Sequence, residues 1–209
     1  MQIADTACSG GVARVSFPLH FALLAVVAGL YVTVLAHADL AIGAALGGHL
    51  IFATEGALYG LTLALALRAP AVPARRALFV VLSAASAVAA SHAGVWSRDA
   101  VLAHLARGGR TLGSRAEDTL VVTLTAAFGA LAYSWLVRAM WLPQLARSAP
   151  VLITVGCGAA MIVMAATVAS VERHLEWFVV LWWLTFSAGL WWAWRRCTRP
   201  DGAARGHRA

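Results

Sequence analysis

The chain has 209 residues, of which 61% are hydrophobic and only 12% are charged, and its formal net charge is +7. A soluble domain is about half apolar and about a quarter charged, so the excess of apolar residues here has to be covered by lipid. The arginines flank apolar runs and form no long stripe, which indicates membrane topology and not a nucleic-acid surface. The composition predicts an all-α integral membrane protein whose partner is the lipid bilayer, without a nucleic acid partner.

The residue types exclude several kinds of chemistry. All 16 basic residues are arginine, and without lysine the chain forms no Schiff base with retinal or pyridoxal phosphate. The three cysteines, Cys8, Cys157 and Cys197, are scattered and form no CxxC pair, so neither a disulfide framework nor a zinc site is predicted. No GxSxG, HExxH or P-loop motif is present. The sequence therefore predicts no enzyme of these classes.

Six apolar runs are each long enough for the roughly 20 residues of a membrane-spanning helix. They lie at 17–37, 39–67, 76–97, 118–141, 149–171 and 174–195. If both termini are inside, 11 arginines fall on the inner side and 5 on the outer side, so the positive-inside rule predicts an N-in/C-in bundle. The predicted organisation is a cytoplasmic segment (1–16), a six-helix transmembrane domain (17–195) with an outer loop at about 98–117, and a basic cytoplasmic tail (196–209).

Two segments of this topology have an alternative interpretation. The letters LAHA end at Ala38 with an Ala-x-Ala pattern, so the first span could be a cleaved signal peptide. Its apolar run is longer than the roughly 7–15 residues of most signal peptides, which favours a retained helix. In the outer loop, apolar residues within 99–107 have helical spacing and Gly108-Gly109 follows them. This pattern predicts either a short amphipathic helix on the outer leaflet or an ordered connector.

Small residues in the second span predict a close helix contact. Gly56 and Gly60 form a GxxxG pattern, and a second such pattern at Gly43 and Gly47 precedes it. Small residues at this spacing let a partner helix approach closely. The third span is rich in alanine, serine and glycine, so we expect spans two and three to pack tightly. The alternative is that the small residues only reflect the composition of the chain and mark no specific contact.

Two histidines on these spans are predicted to lie at similar depth. At about 1.5 Å per residue, His49 lies roughly 6 Å and His92 roughly 9 Å to the outer side of the membrane centre. Two imidazoles on touching helices could be the axial ligands of a b-type haem. With His37 and Asp39 they could instead bind copper or zinc near the outer face. The alternative is a pair of histidines that only make hydrogen bonds between helices.

Glu55 is predicted to lie near the bilayer centre, where an acidic side chain has the highest free-energy cost of any residue in these spans. A charge at that depth costs at least about 2.5 kcal/mol, so a protonated carboxyl that shares a hydrogen bond is the cheapest arrangement. Side chains at similar depth that could share this bond are Tyr31, Tyr133, Thr185 and Ser187. His20 lies nearer the inner face and reaches Glu55 only if the second helix tilts. Carboxyls inside membranes commonly serve proton relay or solute binding.

Three functions agree with these features. The first is a permease or an ion- or proton-coupled carrier of a small solute, in which Glu55, Tyr59 and His20 serve coupling and substrate binding. The second is a haem b- or copper-binding subunit of a redox complex. The third is a non-catalytic subunit or assembly factor of a larger membrane complex or homo-oligomer. The expected location in each case is a bacterial inner membrane.

Overall fold

A computed structural model describes residues 15–35, 49–66 and 73–198, and within these ranges the chain forms six α-helices. Helix α1 is followed directly by a short π-helical turn, and α6 is preceded by a short 3₁₀ turn. The elements are α1 (Phe17–Leu30), the π turn (Tyr31–Leu35), α2 (His49–Ala66), α3 (Pro73–Arg107), α4 (Ser114–Met140), α5 (Ala149–Thr167), the 3₁₀ turn (Glu172–His174) and α6 (Leu175–Thr198).

Five of these helices are long and apolar enough to cross a membrane, where α1 is counted together with the π turn that continues it (Phe17–Val34). The sixth, α2, is apolar over Leu50–Ala66 and is shorter than a full span. Its predicted span began at residue 39, and residues 39–48 lie outside the described part of the chain. The helices agree with an all-helical, multi-pass membrane protein, and the second of the six predicted spans appears only as this shorter helix.

The six helices form a closed ring in sequence order. Each helix packs against the next one along the chain, α6 also packs against α1, and α4 contacts α6 across the ring. The ring of Phe17 packs on that of Trp194 at a centroid distance of 5.3 Å, and Arg75 donates a hydrogen bond to the carbonyl of Met140. These contacts bring the starts of α1 and α3 to the same end of the bundle as the ends of α4 and α6. We call this end the basic end.

The bundle buries aromatic rings at its centre and presents aliphatic side chains outside. Tyr59, Tyr133 and Trp183 are at most 1% exposed, whereas Val26 and Val155 are 70% and 64% exposed. Large apolar side chains exposed in this way on long apolar helices are typical of a surface that faces lipid.

The contact between α2 and α3 is as close as the GxxxG pattern predicts. A Cβ atom added at Gly56 would lie 2.6 Å from the carbonyl oxygen of Ser83 and 2.7 Å from the Cβ of Ala87. A Cβ at Gly60 would lie 2.6 Å from both the Cβ and the Oγ of Ser83. The prediction that spans two and three pack tightly through these glycines is confirmed. Gly43 and Gly47 lie outside the described residues.

Helix α3 is longer than the sequence pattern predicted. It continues through residues 98–107, which the outer loop was expected to contain, so the apolar residues in that segment belong to the same helix as the third span. The helix stops before Gly108-Gly109, as predicted, and Gly109 has a φ of +67° that favours glycine. The connection to α4 therefore spans only residues 108–113.

Candidate functional site

Glu55 is buried in the bundle, and Tyr31 holds its carboxyl group. The phenol of Tyr31 donates a hydrogen bond of 2.5 Å to Oε1 of Glu55, and the two residues are 3% and 7% exposed. Tyr31 is the first residue of the π turn that follows α1. Short π-helical turns are frequent at functional sites, because the extra residue in the turn redirects the neighbouring side chains. Tyr31 is one of the four partners that the depth of Glu55 predicted.

Glu55 also lines a cavity of about 190 Å³ between α2, α3, α4, α5 and α6. The walls are mainly apolar, and rings of Phe52, Phe178, Trp182 and Trp183 form part of them. Among the residues that the structure describes, Glu55 is the only acidic one that lines the cavity, and none of those lining it is basic. A concave, largely apolar space with a few polar groups is the usual form of a small-molecule site.

Hydrogen bonds fix two of the aromatic walls. The indole N–H of Trp182 donates to the carbonyl of Ala126 at 2.9 Å. The phenol of Tyr133 lies within hydrogen-bond distance of two carbonyls, that of Gly56 at 2.9 Å and that of Ser83 at 2.8 Å. These bonds join α6 to α4 and α4 to both α2 and α3. The shape of the cavity is therefore set by the same contacts that hold the helices together.

A second buried polar cluster joins α1, α2 and α6. Nε2 of His20 lies 2.9 Å from Oγ of Ser187, and the phenol oxygen of Tyr59 lies 2.8 Å from the same Oγ. All three side chains are fully buried. Nδ1 of His20 makes no hydrogen bond within the described part of the chain, although the backbone of Thr62 lies close to the ring. A hydroxyl between an imidazole and a phenol can pass a proton from one to the other.

The structure divides the predicted coupling residues between these two clusters. Glu55 and Tyr59 are one turn apart on α2, and Glu55 bonds to Tyr31 whereas Tyr59 shares Ser187 with His20. Ser187 does not line the cavity, and neither do His20 and Tyr59. The reason is that residues four apart on a helix lie on one face but at different depths, so each meets a different level of the neighbouring helices.

The predicted metal or haem ligands are only partly described. His92 is half-buried on α3, with its ring 5.9 Å from that of Trp96. His49 begins α2, but its side chain lies outside the described part of the structure, as do His37 and Asp39 entirely. In the ranges that are described, no group of three or more His, Cys, Asp or Glu residues is placed to hold a metal ion. The haem and copper interpretations remain untested predictions.

Sequence analysis did not identify the two phenylalanines of the cavity wall. Phe52 lies three residues before Glu55, and Phe178 lies four residues before Trp182. The spacing Phe178, Trp182, Phe186 places three large rings on one face of α6, and Trp182 stacks on Phe186 at 5.3 Å. This aromatic stripe is a signal that could have located the wall.

No protein-family model matches the chain, and neither a curated protein nor a solved structure matches it. Fold and site together place the chain in the broad class of helical, multi-pass membrane proteins.

Proposed function

We propose that this protein is a small membrane carrier that binds a compact solute in the apolar cavity and couples its movement to protonation of Glu55. The observation that carries the proposal is that Glu55 is buried, lines the cavity and accepts a hydrogen bond from Tyr31 at its carboxyl group. Burying a carboxyl group there lowers the stability of the fold, which favours a functional role for Glu55.

The lining of the cavity favours a particular kind of solute. Its aromatic walls suit an apolar ring, and its one carboxyl suits a hydrogen-bond donor or a positive charge. The volume of about 190 Å³ is below the roughly 300–1,000 Å³ of drug-sized pockets, which favours a compound with a single ring. A solute cation and a proton would compete for the same carboxyl, and this competition is the physical basis of exchange.

The two polar clusters have different roles in this proposal. Tyr31 positions the carboxyl and keeps a donor beside it in both protonation states. The cluster of His20, Ser187 and Tyr59 meets α2 at Tyr59, one turn closer to the basic end than Glu55. There it would accept or supply protons as the carrier changes state. The arginine distribution supports an N-in/C-in orientation, so the basic end would face the cytoplasm of a bacterial inner membrane.

The test uses purified protein in vesicles that contain the pH-sensitive dye pyranine. A gradient of benzyltrimethylammonium is imposed, because this single-ring cation cannot carry a proton by itself. We expect proton movement in the opposite direction through the wild-type protein and at least a tenfold slower rate through Glu55→Gln. Glu117→Gln, which changes a half-buried acid in the first turn of α4, away from the cavity lining, is the matched control and keeps the wild-type rate. Equal rates for the wild type and Glu55→Gln, or no proton movement in either, contradict the proposal.

A further inference from the structure

The two ends of the bundle differ in charge. Six arginines lie at the basic end, and no acidic residue lies there among the residues that the structure describes. The described residues of the opposite end include five arginines and five acidic residues, and Arg98 is ion-paired with Asp99 at 2.6 Å. The arginines of the basic end are Arg75, Arg76, Arg138, Arg147, Arg195 and Arg196.

Four of these arginines stack on tryptophan rings. The guanidinium carbon lies 5.1 Å from the ring centroid for Arg138 on Trp135, and 4.0 Å for Arg196 on Trp192. The pairs Arg195 with Trp191 and Arg75 with Trp141 have distances of 4.9 Å and 4.8 Å. In three of the pairs the arginine follows its tryptophan by three or four residues on one helix, which places it one turn closer to the helix end.

The tryptophans of those three pairs are on the outer surface of the bundle. Trp135, Trp191 and Trp192 are 49%, 38% and 42% exposed. Exposed tryptophan on a membrane helix lies at the level of the lipid headgroups. A guanidinium stacked on such a ring is therefore held at the same level, with fewer rotamers to lose when it binds a ligand.

The chemistry of this surface selects one kind of lipid headgroup. A guanidinium has N–H donors in one plane and binds phosphate through two parallel hydrogen bonds. Cations near the C-terminal ends of α4 and α6 are also favoured by the helix dipoles, so the arginines stay at this level. Arginines outnumber acidic residues at this end in the described part of the chain, and Arg138 and Arg196 lie on exposed tryptophan rings. A headgroup with net negative charge is therefore favoured over a zwitterionic one.

We propose that the basic end, through the arginine–tryptophan pairs of α4 and α6, is a binding surface for anionic phospholipid. The occupant is a membrane lipid with a phosphodiester and a net negative charge, of the phosphatidylglycerol type. This surface is separate from the cavity of Glu55, so it does not depend on the carrier function.

The experiment measures quenching of tryptophan fluorescence by brominated lipids in reconstituted vesicles. Brominated phosphatidylglycerol and brominated phosphatidylcholine are compared at equal mole fractions in an unbrominated phosphatidylcholine background. An arginine near a membrane surface changes the affinity for anionic lipid about fivefold, so the wild type should select phosphatidylglycerol by at least this factor. The selectivity should fall at 0.5 M salt, where charges are screened within a few ångströms.

Arg196→Gln changes an exposed side chain in the last turn of α6 and should lower the selectivity severalfold. Arg138→Gln is the corresponding change on α4. Arg98→Gln, at the opposite end, is the matched control and should leave the selectivity unchanged. Far-UV circular dichroism in phosphatidylcholine shows whether each variant folds. Equal quenching by both lipids in the wild type overturns the proposal, and so does an effect of Arg98→Gln as large as that of Arg196→Gln.

Discussion

Replacing Gly56 with alanine tests whether the close contact between α2 and α3 holds the bundle together. A Cβ at this position would meet the Ser83 carbonyl oxygen at 2.6 Å, the Ala87 Cβ at 2.7 Å and the Tyr133 phenol oxygen at 2.9 Å. Non-bonded carbon atoms prefer separations of about 3.5–4.0 Å, so the helices would have to move apart by roughly 1 Å. The Ser83 atom belongs to the backbone, so a rotamer change cannot relieve the contact.

Three free-energy contributions set the size of the effect. Overpacking a tight contact costs about 1–3 kcal/mol. The bond from Tyr133 to the Gly56 carbonyl, now 2.9 Å, would weaken and lose about 0.5–1.5 kcal/mol. Alanine in a helix gains about 0.5–1 kcal/mol over glycine. Gly56→Ala should therefore lower the free energy of unfolding by about 0.5–4 kcal/mol.

The assay is reversible unfolding in mixed micelles with increasing dodecyl sulfate, followed by tryptophan fluorescence. Gly156→Ala is the matched control, because Gly156 is exposed in the middle of α5 and a Cβ there would meet nothing within 4 Å. The control should leave stability unchanged or raise it by up to about 1 kcal/mol. If both variants have the same unfolding midpoint, the close contact of α2 with α3 does not exist as described.

Two further substitutions test other contacts, the first by the same unfolding assay and the second by hydrogen exchange. Ser187→Ala removes the hydroxyl that the imidazole of His20 and the phenol of Tyr59 share, and should lower the free energy of unfolding by about 1–3 kcal/mol. Thr185→Val loses only a hydrogen bond within α6 and should lower it clearly less. Equal losses of stability in the two variants would contradict the shared role of Ser187. Arg115→Gln removes the guanidinium that lies 2.9–3.1 Å from three carbonyls at the end of α5. The amides of that helix end should then exchange hydrogen faster. Arg110→Gln, an exposed change in the connection between α3 and α4, should leave this exchange unchanged.

The sequence was sufficient to predict the contacts that depend on local spacing. Gly56 and Gly60 lie four residues apart on one helix face, so their close approach to α3 follows from helix geometry and small size. The partner of Glu55 was predictable in part, because the fixed rise per residue gave an expected depth that reduced its potential partners to four, and one of these, Tyr31, donates the bond.

Contacts that depend on helix rotation were not predictable. Ser187 and His20 are 167 positions apart, and nothing local indicates that α6 turns Ser187 towards α1 and α2. The end of α3 was missed for a different reason, because hydropathy falls where lipid ends although helix-forming residues continue to Arg107. A hydropathy pattern indicates whether a segment lies in lipid or in water. The backbone hydrogen bonds of a helix form in both, so the pattern does not locate the end of the helix.

The unexpected length of α3 gives the molecule an uneven profile across the membrane. Its 35 residues extend about 52 Å, whereas the hydrocarbon layer is only about 30 Å thick. If Arg75 and Arg76 hold the start of α3 at the headgroup level, this length carries the turn at Gly108-Gly109 beyond the hydrocarbon layer on the opposite side. An epitope or protease site inserted in this turn would report the sidedness of the protein in intact cells, and it should be accessible from outside if the basic end faces the cytoplasm.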